Sequence, residues 1–395
     1  MNEKIYWIWL QQALGISPSI RTDEILSYFG SAKALYFAGE NEWRISGVFT
    51  PKQISRLMNQ DLSKAQNIFD TCVKNNWQMV TPNDGNYPSL LFKLPNFPMV
   101  LYCSGDLDCL KNKISIAVVG TREPTVNSTS AARALSASLT RSGALVVSGG
   151  ALGIDATAHQ GALDAGGKTV AVLGCGLDCS YPVANIALRR QIEKNGVLVT
   201  EYPPGTQGVA RNFPIRNRII SGLSYGTVVI EAGERSGSLI TANYALEQGR
   251  DVFAVPGDIV YSCFTGTNKL IRDGAKPVFN AYDVLCGYLI TNPELLDAGK
   301  IEMELTVSEA SPAAAQKSSA PKPKAQEEKH VRKPEPEGLS ENARKVYHAF
   351  DSCEMQMEEL IIKTGLGVSA FACAMTELEL FDLVELLAGK NYKLK

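Results

Sequence analysis

Histidine is scarce in this sequence, and the nine cysteines are scattered along it. The three histidines are His159, His330 and His348, and the closest cysteines are Cys175 and Cys179, spaced C-x3-C. Neither a second cysteine pair nor a histidine cluster completes a zinc site, so we predict no metal centre. An odd number of scattered cysteines is typical of reduced thiols in the cytoplasm.

Long apolar runs are also missing. The strongest run, Ile5–Leu10, is too short for a membrane span, and Gln11 and Gln12 follow it in place of a cleavage site. We interpret this run as the buried face of a first helix. The sequence therefore predicts a cytoplasmic protein without a membrane partner.

Two patterns that bind nucleotide phosphates are absent from the sequence. The first predicted strand is followed by Thr121-Arg-Glu-Pro124, not by G-x-G-x-x-G, and no G-x-x-x-x-G-K-[ST] loop occurs. Neither NAD nor ATP is expected. We predict no cofactor, no catalytic residue and no enzymatic activity.

The charge is small overall but unevenly distributed. The net charge is −2, yet residues 111–283 hold 17 Lys and Arg against 13 Asp and Glu, and the rest holds 22 against 28. A mildly basic middle indicates an anionic ligand there, although chance variation would give the same pattern.

The domain organisation follows from composition and periodicity. Apolar residues at helical spacing predict a small helical domain over residues 1–80. Dense prolines predict an extended connector without a helix over residues 81–110. Residues 301–337, rich in Ala, Pro, Lys, Glu and Ser, are interpreted as a disordered linker. Residues 338–395 regain helical patterning, end in a strand-like tail and are predicted to form a winged-helix domain.

Within residues 81–300, short β-branched runs alternate with helical segments. The predicted strands are Ile114–Val119, Ala144–Val147, Thr169–Leu173, Val197–Thr200, Thr227–Ile230 and Asp251–Val255. The predicted helices lie near 129–142, 153–165, 183–195 and 238–249. Strands that are apolar on both faces and separated by helices predict an α/β fold with a doubly wound, Rossmann-like parallel sheet.

Ligands of such sheets bind beyond the carboxyl ends of the strands, where this sequence carries glycine-rich loops. The Ser148–Gly153 loop opens a helix directly, and so does the Ser236-Gly237 turn, so the N–H groups of both could face a phosphate. Glycines that only permit tight turns would leave the same pattern. Asp155 and Glu231 are carboxylates at this edge, but no nucleophile or metal accompanies them. We expect Asp155 to cap its helix or to order its loop, and His159 to be a core residue.

The segment Phe213–Arg218, preceded by Arg211, combines arginines with an aromatic ring. Arginine pairs with phosphates, and phenylalanine can stack on an unpaired base. A helix N-terminus with solvated arginines and a buried Phe213 is the alternative interpretation. Arg122 is expected at the same edge of the sheet, which favours an anion site.

The ordered set of these motifs resembles the DNA-processing protein A family, also called DprA or Smf. The resemblance covers about residues 81–285 and rests on these motifs: Gly120-Thr-Arg122, Ser148-Gly-Gly-Ala-Leu-Gly-Ile-Asp-Ala156 with His159, Tyr181-Pro182 with Asn185, Glu201-Tyr-Pro-Pro-Gly205, Phe213-Pro-Ile-Arg-Asn-Arg-Ile-Ile220, Glu231-Ala-Gly233, Ser236-Gly-Ser-Leu-Ile-Thr241, Gly266-Thr-Asn-Lys-Leu-Ile271 and Asp273-Gly-Ala275. The N-terminal segment resembles the family's helix-hairpin-helix-related domain. It reads Gly15-Ile-Ser17 where such a hairpin would read Gly-Ile-Gly.

The resemblance implies a homodimer that binds single-stranded DNA and helps to load the RecA recombinase during natural transformation. It implies DNA contact by the residues that match the family's motifs, which are Arg122, Phe213, Arg216, Asn217 and Arg218. Arg211, Lys269 and the Ser148–Gly150 loop (Ser148, Gly149, Gly150) are added as further candidates. The resemblance also implies a C-terminal winged helix. Its acidic stretch, residues 364–389, has no Lys or Arg, which predicts protein contact or regulation of the core rather than DNA contact.

Two other functions stay open from the sequence. Related sheets occur in nucleotide phosphoribohydrolases, which carry Pro-Gly-Gly-x-Gly-Thr and a catalytic glutamate near the fifth strand. Here that strand leads into Glu231-Ala-Gly-Glu-Arg-Ser-Gly-Ser238, which departs from the pattern. A structural adaptor whose loops bind nothing is the third interpretation.

Overall fold

The computed structural model describes residues 2–301, 338–350, 354–366, 368–387 and 391–394. These residues fall into two compact units, Met1–Glu309 and Ala310–Lys395. The linker predicted over residues 301–337 lies, except for Ile301, outside the described residues.

Five helices begin the chain, as the apolar periodicity predicts. They are α1 (Lys4–Leu14), α2 (Thr22–Phe29), α3 (Ala32–Ile45), α4 (Pro51–Leu57) and α5 (Ser63–Lys74). Helix α1 contributes Ile5, Trp7, Ile8 and Leu10 to a buried cluster that continues into Ala171 and other residues of the central sheet. The apolar run at the N-terminus is therefore the buried helix face that the sequence predicts, and it attaches the helical segment to the rest of the unit.

A nine-stranded mixed sheet forms the centre of the first unit. Its strands are β1 (Gln78–Val80), β2 (Leu101–Gly105), β3 (Ser115–Val119), β4 (Leu145–Ser148), β5 (Thr169–Leu173), β6 (Val197–Thr200), β7 (Gly226–Val229), β8 (Asp251–Ala254) and β9 (Lys276–Pro277). The spatial order is β1-β2-β6-β5-β4-β3-β7-β8-β9, and all pairs from β6 to β9 are parallel. All six predicted strands are present, which confirms the Rossmann-like α/β fold.

Helices cover both faces of this sheet because its strands are apolar on both sides. They are α7 (Val126–Arg141), α8 (Ile154–Asp164), α9 (Ile186–Asn195), α10 (Asn212–Gly222), α11 (Ser238–Glu247), α12 (Thr265–Arg272) and α13 (Ala281–Thr291). Four of them match the predicted helices within about three residues, whereas α10, α12 and α13 were not predicted.

The proline-rich connector differs from its prediction in two respects. It holds a short helix, α6 (Ser89–Phe92), which starts directly after Pro88 because proline is compatible with a helix start but not with a helix interior. Strand β2 follows and pairs antiparallel with both β1 and β6, so the connector extends the central sheet. The statement that the prolines exclude a helix is therefore wrong.

The second unit has the predicted winged-helix arrangement. Its elements are α14 (Glu341–Ala349), β10 (Glu354–Gln356), α15 (Met357–Thr364), α16 (Val368–Leu380), β11 (Val384–Leu387) and β12 (Asn391–Leu394). The strands form an antiparallel sheet in the order β10-β12-β11. A separate core that includes Val346, Leu360, Phe371 and Leu378 holds the unit together. Glu377 of the acidic stretch accepts hydrogen bonds from the backbone and hydroxyl of Ser340 and thereby fixes the start of α14.

Candidate nucleic-acid interface

The order in which the chain adds strands to the sheet reverses between β3 and β7. From β3 the chain winds outward through β4, β5 and β6, and from β7 it winds the opposite way through β8 and β9. The loops beyond the carboxyl ends of β3 and β7 therefore diverge, and a cleft of about 530 Å³ opens between them. We call it the rim cleft. Arg122, Tyr181, Phe213, Arg216 and Asn217 line it, together with the start of α11.

Arg122 and Phe213 meet at this cleft, as the sequence predicts. The Cζ atom of Arg122 lies 5.4 Å from the centroid of the Phe213 ring, and Cζ of Arg216 lies 5.9 Å from it. The attraction between a guanidinium and the face of an aromatic ring holds Arg122 in place while leaving it exposed. The ring of Tyr181, which is 42% exposed, lies 5.4 Å from that of Phe213.

The start of α10 determines where Phe213 sits. The buried Asn212 donates a hydrogen bond from Nδ2 to the carbonyl of Gly174, which follows β5. A Cβ atom on Gly174 would lie 2.7 Å from the Phe213 ring, so only glycine lets the ring pack here. Phe213 is half-buried, which combines the two alternatives from the sequence: the ring packs against the protein and is still part of the cleft lining.

Arg216 lies in the floor of the rim cleft, where it is buried. Its Nη1 donates to the carbonyls of Gly149, at 2.6 Å, and Val172. Burial lowers the pKa of Arg216, and the nearby carboxylate of Asp155 opposes this shift. Arg216 therefore joins the loops after β4 and β5 and places a positive charge below the cleft.

The two carboxylates at this edge both order the backbone. Oδ2 of Asp155 accepts hydrogen bonds from the N–H groups of Gly149 and Ala151, at 3.1 and 3.4 Å. Glu231 accepts from the N–H and the hydroxyl of Thr125, both at 2.9 Å, directly before α7. Burial raises the pKa of Asp155, and Arg216 opposes that shift. The expectation that Asp155 orders its loop is confirmed.

The glycine-rich loop after β4 is used differently from the predicted phosphate cradle. The buried hydroxyl of Ser148 donates to the carbonyl of Val118 at 2.6 Å, and the N–H of Gly149 is held by Asp155. Gly150 adopts a positive φ of 64°, and its carbonyl accepts from Nδ2 of Asn185 at 3.1 Å. The groups of Ser148 and Gly149 proposed to bind phosphate are therefore engaged in holding the loop in place.

Arg218 requires a correction. Its side chain is 1% exposed and pairs with Glu201 through two hydrogen bonds of 2.6 Å, away from the residues that line the rim cleft. Asn217 does line the cleft and donates from Nδ2 to the carbonyl of Gly237. Arg211 is exposed before α10, and Lys269 is exposed on α12 outside the cleft lining.

The structure adds residues that the predicted site lacked. One of them is Tyr181, which the sequence analysis names only as part of a motif. An aromatic residue beside a proline in a loop at this edge of the sheet was a signal that could have identified it as a cleft residue. Arg189 of α9 is buried and donates to the carbonyls of Leu177, Cys179 and Tyr181, which fixes the loop that presents the Tyr181 ring. In the part of the chain that the structure describes, no cluster of His, Cys, Asp and Glu could hold a metal ion, and no helix is both long and apolar enough to cross a membrane.

His159 is a core residue, as expected, and makes stability depend on pH. It is fully buried on α8, with Nδ1 2.8 Å from the Thr169 hydroxyl, and burial lowers its pKa to about 3 from 6.5. Between these values the unfolded chain binds the proton and the folded chain does not. The contribution of His159 to the free energy of unfolding therefore falls by about 1.4 kcal/mol per pH unit as the pH drops from about 6.5.

We expect His159→Asn to flatten the decline of the unfolding free energy with falling pH, measured by urea denaturation at a series of pH values. Equal slopes in both proteins would contradict this assignment.

The fold and site define a Rossmann-like protein with an arginine-bearing cleft at the switch point of its sheet, joined in one chain to a winged-helix domain. The family model of DNA recombination-mediator protein A matches residues 78–288, and that of the DprA winged helix domain matches residues 330–390. The chain belongs to this DNA-processing family, as its motifs indicate.

Relatives and solved structures agree with this assignment. The chain is 32% identical over 406 residues to protein Smf of a Synechocystis species, covering 99% of both chains. It is 42% identical over 198 residues to DNA processing protein DprA of Bacillus subtilis, covering 50% of this chain and 67% of that one. The DprA structure from Streptococcus pneumoniae superposes with a TM-score of 0.64 at 36% identity, covering 72% of this chain and 98% of that one. DNA processing protein A from Helicobacter pylori, described for its single-stranded DNA binding mode, gives 0.50 at 32% identity, covering 54% and 97%.

Proposed function

We propose that this protein binds single-stranded DNA in the rim cleft and helps to load RecA onto that DNA during DNA uptake and recombination. The observation that carries this proposal is the exposed guanidinium of Arg122 held over the Phe213 ring, beside the exposed Tyr181. A cation and aromatic rings at one opening suit a ligand with phosphates and unpaired bases. The relative from Helicobacter pylori, which binds single-stranded DNA, supports the same ligand.

The mechanism of binding is electrostatic attraction combined with stacking. Arg122 and Arg211 take phosphates, while Tyr181 and the accessible part of Phe213 provide surfaces for bases, each worth about 1–3 kcal/mol. Arg216 adds positive potential from below without leaving its carbonyl partners. Duplex DNA binds more weakly in this mechanism because its bases are already stacked on each other.

The RecA and dimer parts of the proposal come from membership of the family. A cytoplasmic homodimer would hold two rim clefts, and thereby two stretches of DNA, for presentation to a recombinase. The contacts of Glu231 and Asp155 favour this binding role over a phosphoribohydrolase. Each carboxylate accepts two hydrogen bonds that order backbone at this edge, and Glu231 and Asp155 are only 1% and 7% exposed, so both suit a structural role better than that of a general base.

Titration of fluorescent oligo-dT across a salt series tests the proposal. On single strands, each phosphate contact contributes about 0.7 to the slope of log affinity against log salt concentration. One contact therefore strengthens binding about fivefold at 0.1 M salt compared with 1 M salt. We expect Arg122→Ala to lower the salt slope by about 0.7 and the affinity at 0.1 M salt about fivefold. Arg133→Ala is the matched control, because Arg133 is an exposed arginine of α7 that pairs with Asp164. Absence of binding by the wild type at low salt would contradict the proposed function.

A further inference from the structure

A second cleft, of about 740 Å³, lies next to the rim cleft. We call it the hinge-side cleft. It separates the end of α1 and α4 from the loop that leads from β6 to α10. Gln11, Gly15 and Arg56 line it from the helical segment, and Thr206, Gln207 and Arg211 line it from the loop.

The walls of the hinge-side cleft are fixed relative to each other. Nε2 of Gln11 donates to the carbonyl of Glu201 at 3.0 Å, and the hydroxyl of Tyr102 donates to Oε1 of Gln11 at 3.0 Å. Gln11 and Tyr102 are both buried. The indole of Trp7 donates to Asn83 at 2.9 Å. The cleft is therefore preformed, and a ligand does not have to bring two separate bodies together.

The charge of the hinge-side cleft has one sign. Arg56 and Arg211 are exposed there, and no acidic side chain is part of the lining as far as the structure describes it. Lys52 is exposed on α4 four residues before Arg56, so the two cations share one face of that helix. Gln12 and Gln207 add uncharged polar side chains to the lining. Such a surface suits a chain of phosphates better than an uncharged ligand.

The two clefts adjoin at the start of α10. Arg211 and Asn212 line the hinge-side cleft, and the next two residues, Phe213 and Pro214, line the rim cleft. A DNA strand that runs from the Phe213 ring toward the hinge-side cleft passes Arg211 and reaches Arg56.

We propose that single-stranded DNA bound in the rim cleft continues into the hinge-side cleft, where Lys52 and Arg56 of the N-terminal helical segment bind further phosphates. This inference rests on the proposed function and extends it, because it gives the helical segment a direct part in DNA binding. It also predicts that the contribution of Lys52 and Arg56 to binding affinity depends on the length of the DNA.

Binding of two oligo-dT lengths tests this path in the full chain. One oligonucleotide of about 5 nucleotides fills the rim cleft, and one of about 16 reaches beyond it. Arg56→Ala is expected to weaken binding of the longer one about fivefold at 0.1 M salt and to lower its salt slope by about 0.7, without changing the shorter one. Lys33→Ala is the control, because Lys33 pairs with Glu3 before the start of α1, about 12 Å along that helix from Gln11, the first α1 residue that lines the cleft.

The outcomes separate the two proposals. Wild-type affinity of Arg56→Ala for the longer oligonucleotide, with Arg122→Ala weakened at both lengths, would overturn the path and retain the rim cleft. Equal losses by Arg56→Ala at both lengths would also overturn it. No binding of either oligonucleotide by the wild type would remove the proposed function and the path together.

Discussion

Arg218→Ala is expected to lower the free energy of unfolding by about 3–5 kcal/mol, because it leaves a buried carboxylate without its partner. Glu201 is 5% exposed, and both of its oxygens accept from Nη2 of Arg218. Burial raises the pKa of Glu201, while Arg218 opposes that shift. In the variant the carboxylate must either stay charged in an apolar surrounding or take up a proton. Guanidinium denaturation followed by circular dichroism measures the loss.

A double variant, Arg218→Met with Glu201→Leu, separates stability from DNA contact. Replacing both members of a buried ion pair by apolar residues of similar volume is often neutral for stability. Two donors of Arg218, Nε and Nη1, have no hydrogen-bond partner among the described residues, so their removal also relieves a cost. We expect the double variant to regain most of the stability and to bind oligo-dT as the wild type does. A stable double variant that fails to bind would show that Arg218 contacts DNA after all.

The error about Arg218 had a signal in the sequence. Arg216 and Arg218 are two residues apart, and two positions on an α-helix differ by about 200° in direction. Once α10 is recognised as a helix, these two arginines cannot face the same ligand. The resemblance assigns both arginines to DNA because both match the family's motif, and a motif does not give the direction in which each side chain leaves the helix.

The strands of the sheet were predictable because each carries its signal locally. A run such as Thr169–Leu173 is β-branched and apolar on both faces wherever it is placed in the chain. The partners of Glu231 and Glu201 were not predictable, because they depend on which loops the fold brings together across 106 and 17 residues. For the same reason the sequence placed Ser148 at the correct edge of the sheet but could not show that the carbonyl of Val118 already accepts from its hydroxyl.

Gly153→Ala is expected to damage both stability and DNA binding. Gly153 precedes α8 with φ +77°, and an added Cβ would lie 2.5 Å from the carbonyl oxygen of Thr121 and 2.7 Å from the carbonyl carbon of Arg122. These are backbone atoms that cannot rotate away. The N–H of Ile154 also donates to that Thr121 oxygen, at 3.1 Å. The backbone conformation, φ 77° with ψ −128°, is one that only glycine adopts readily and costs about 1–3 kcal/mol for a residue with a Cβ, and the overlap adds about 1–3 kcal/mol.

Gly166→Ala is the matched comparison, because Gly166 follows the other end of the same helix with φ +74°, and apart from its chain neighbours no described residue has an atom within 4 Å of its Cβ position. It therefore carries the conformational cost of about 1–2 kcal/mol without the overlap. In Gly153→Ala the Thr121–Arg122 turn has to shift, which moves the guanidinium off the Phe213 ring. Its oligo-dT affinity should fall at least as far as that of Arg122→Ala, about fivefold at 0.1 M salt, while Gly166→Ala binds normally. Normal binding by a folded Gly153→Ala protein would mean that the position of Arg122 over Phe213 does not govern recognition of DNA.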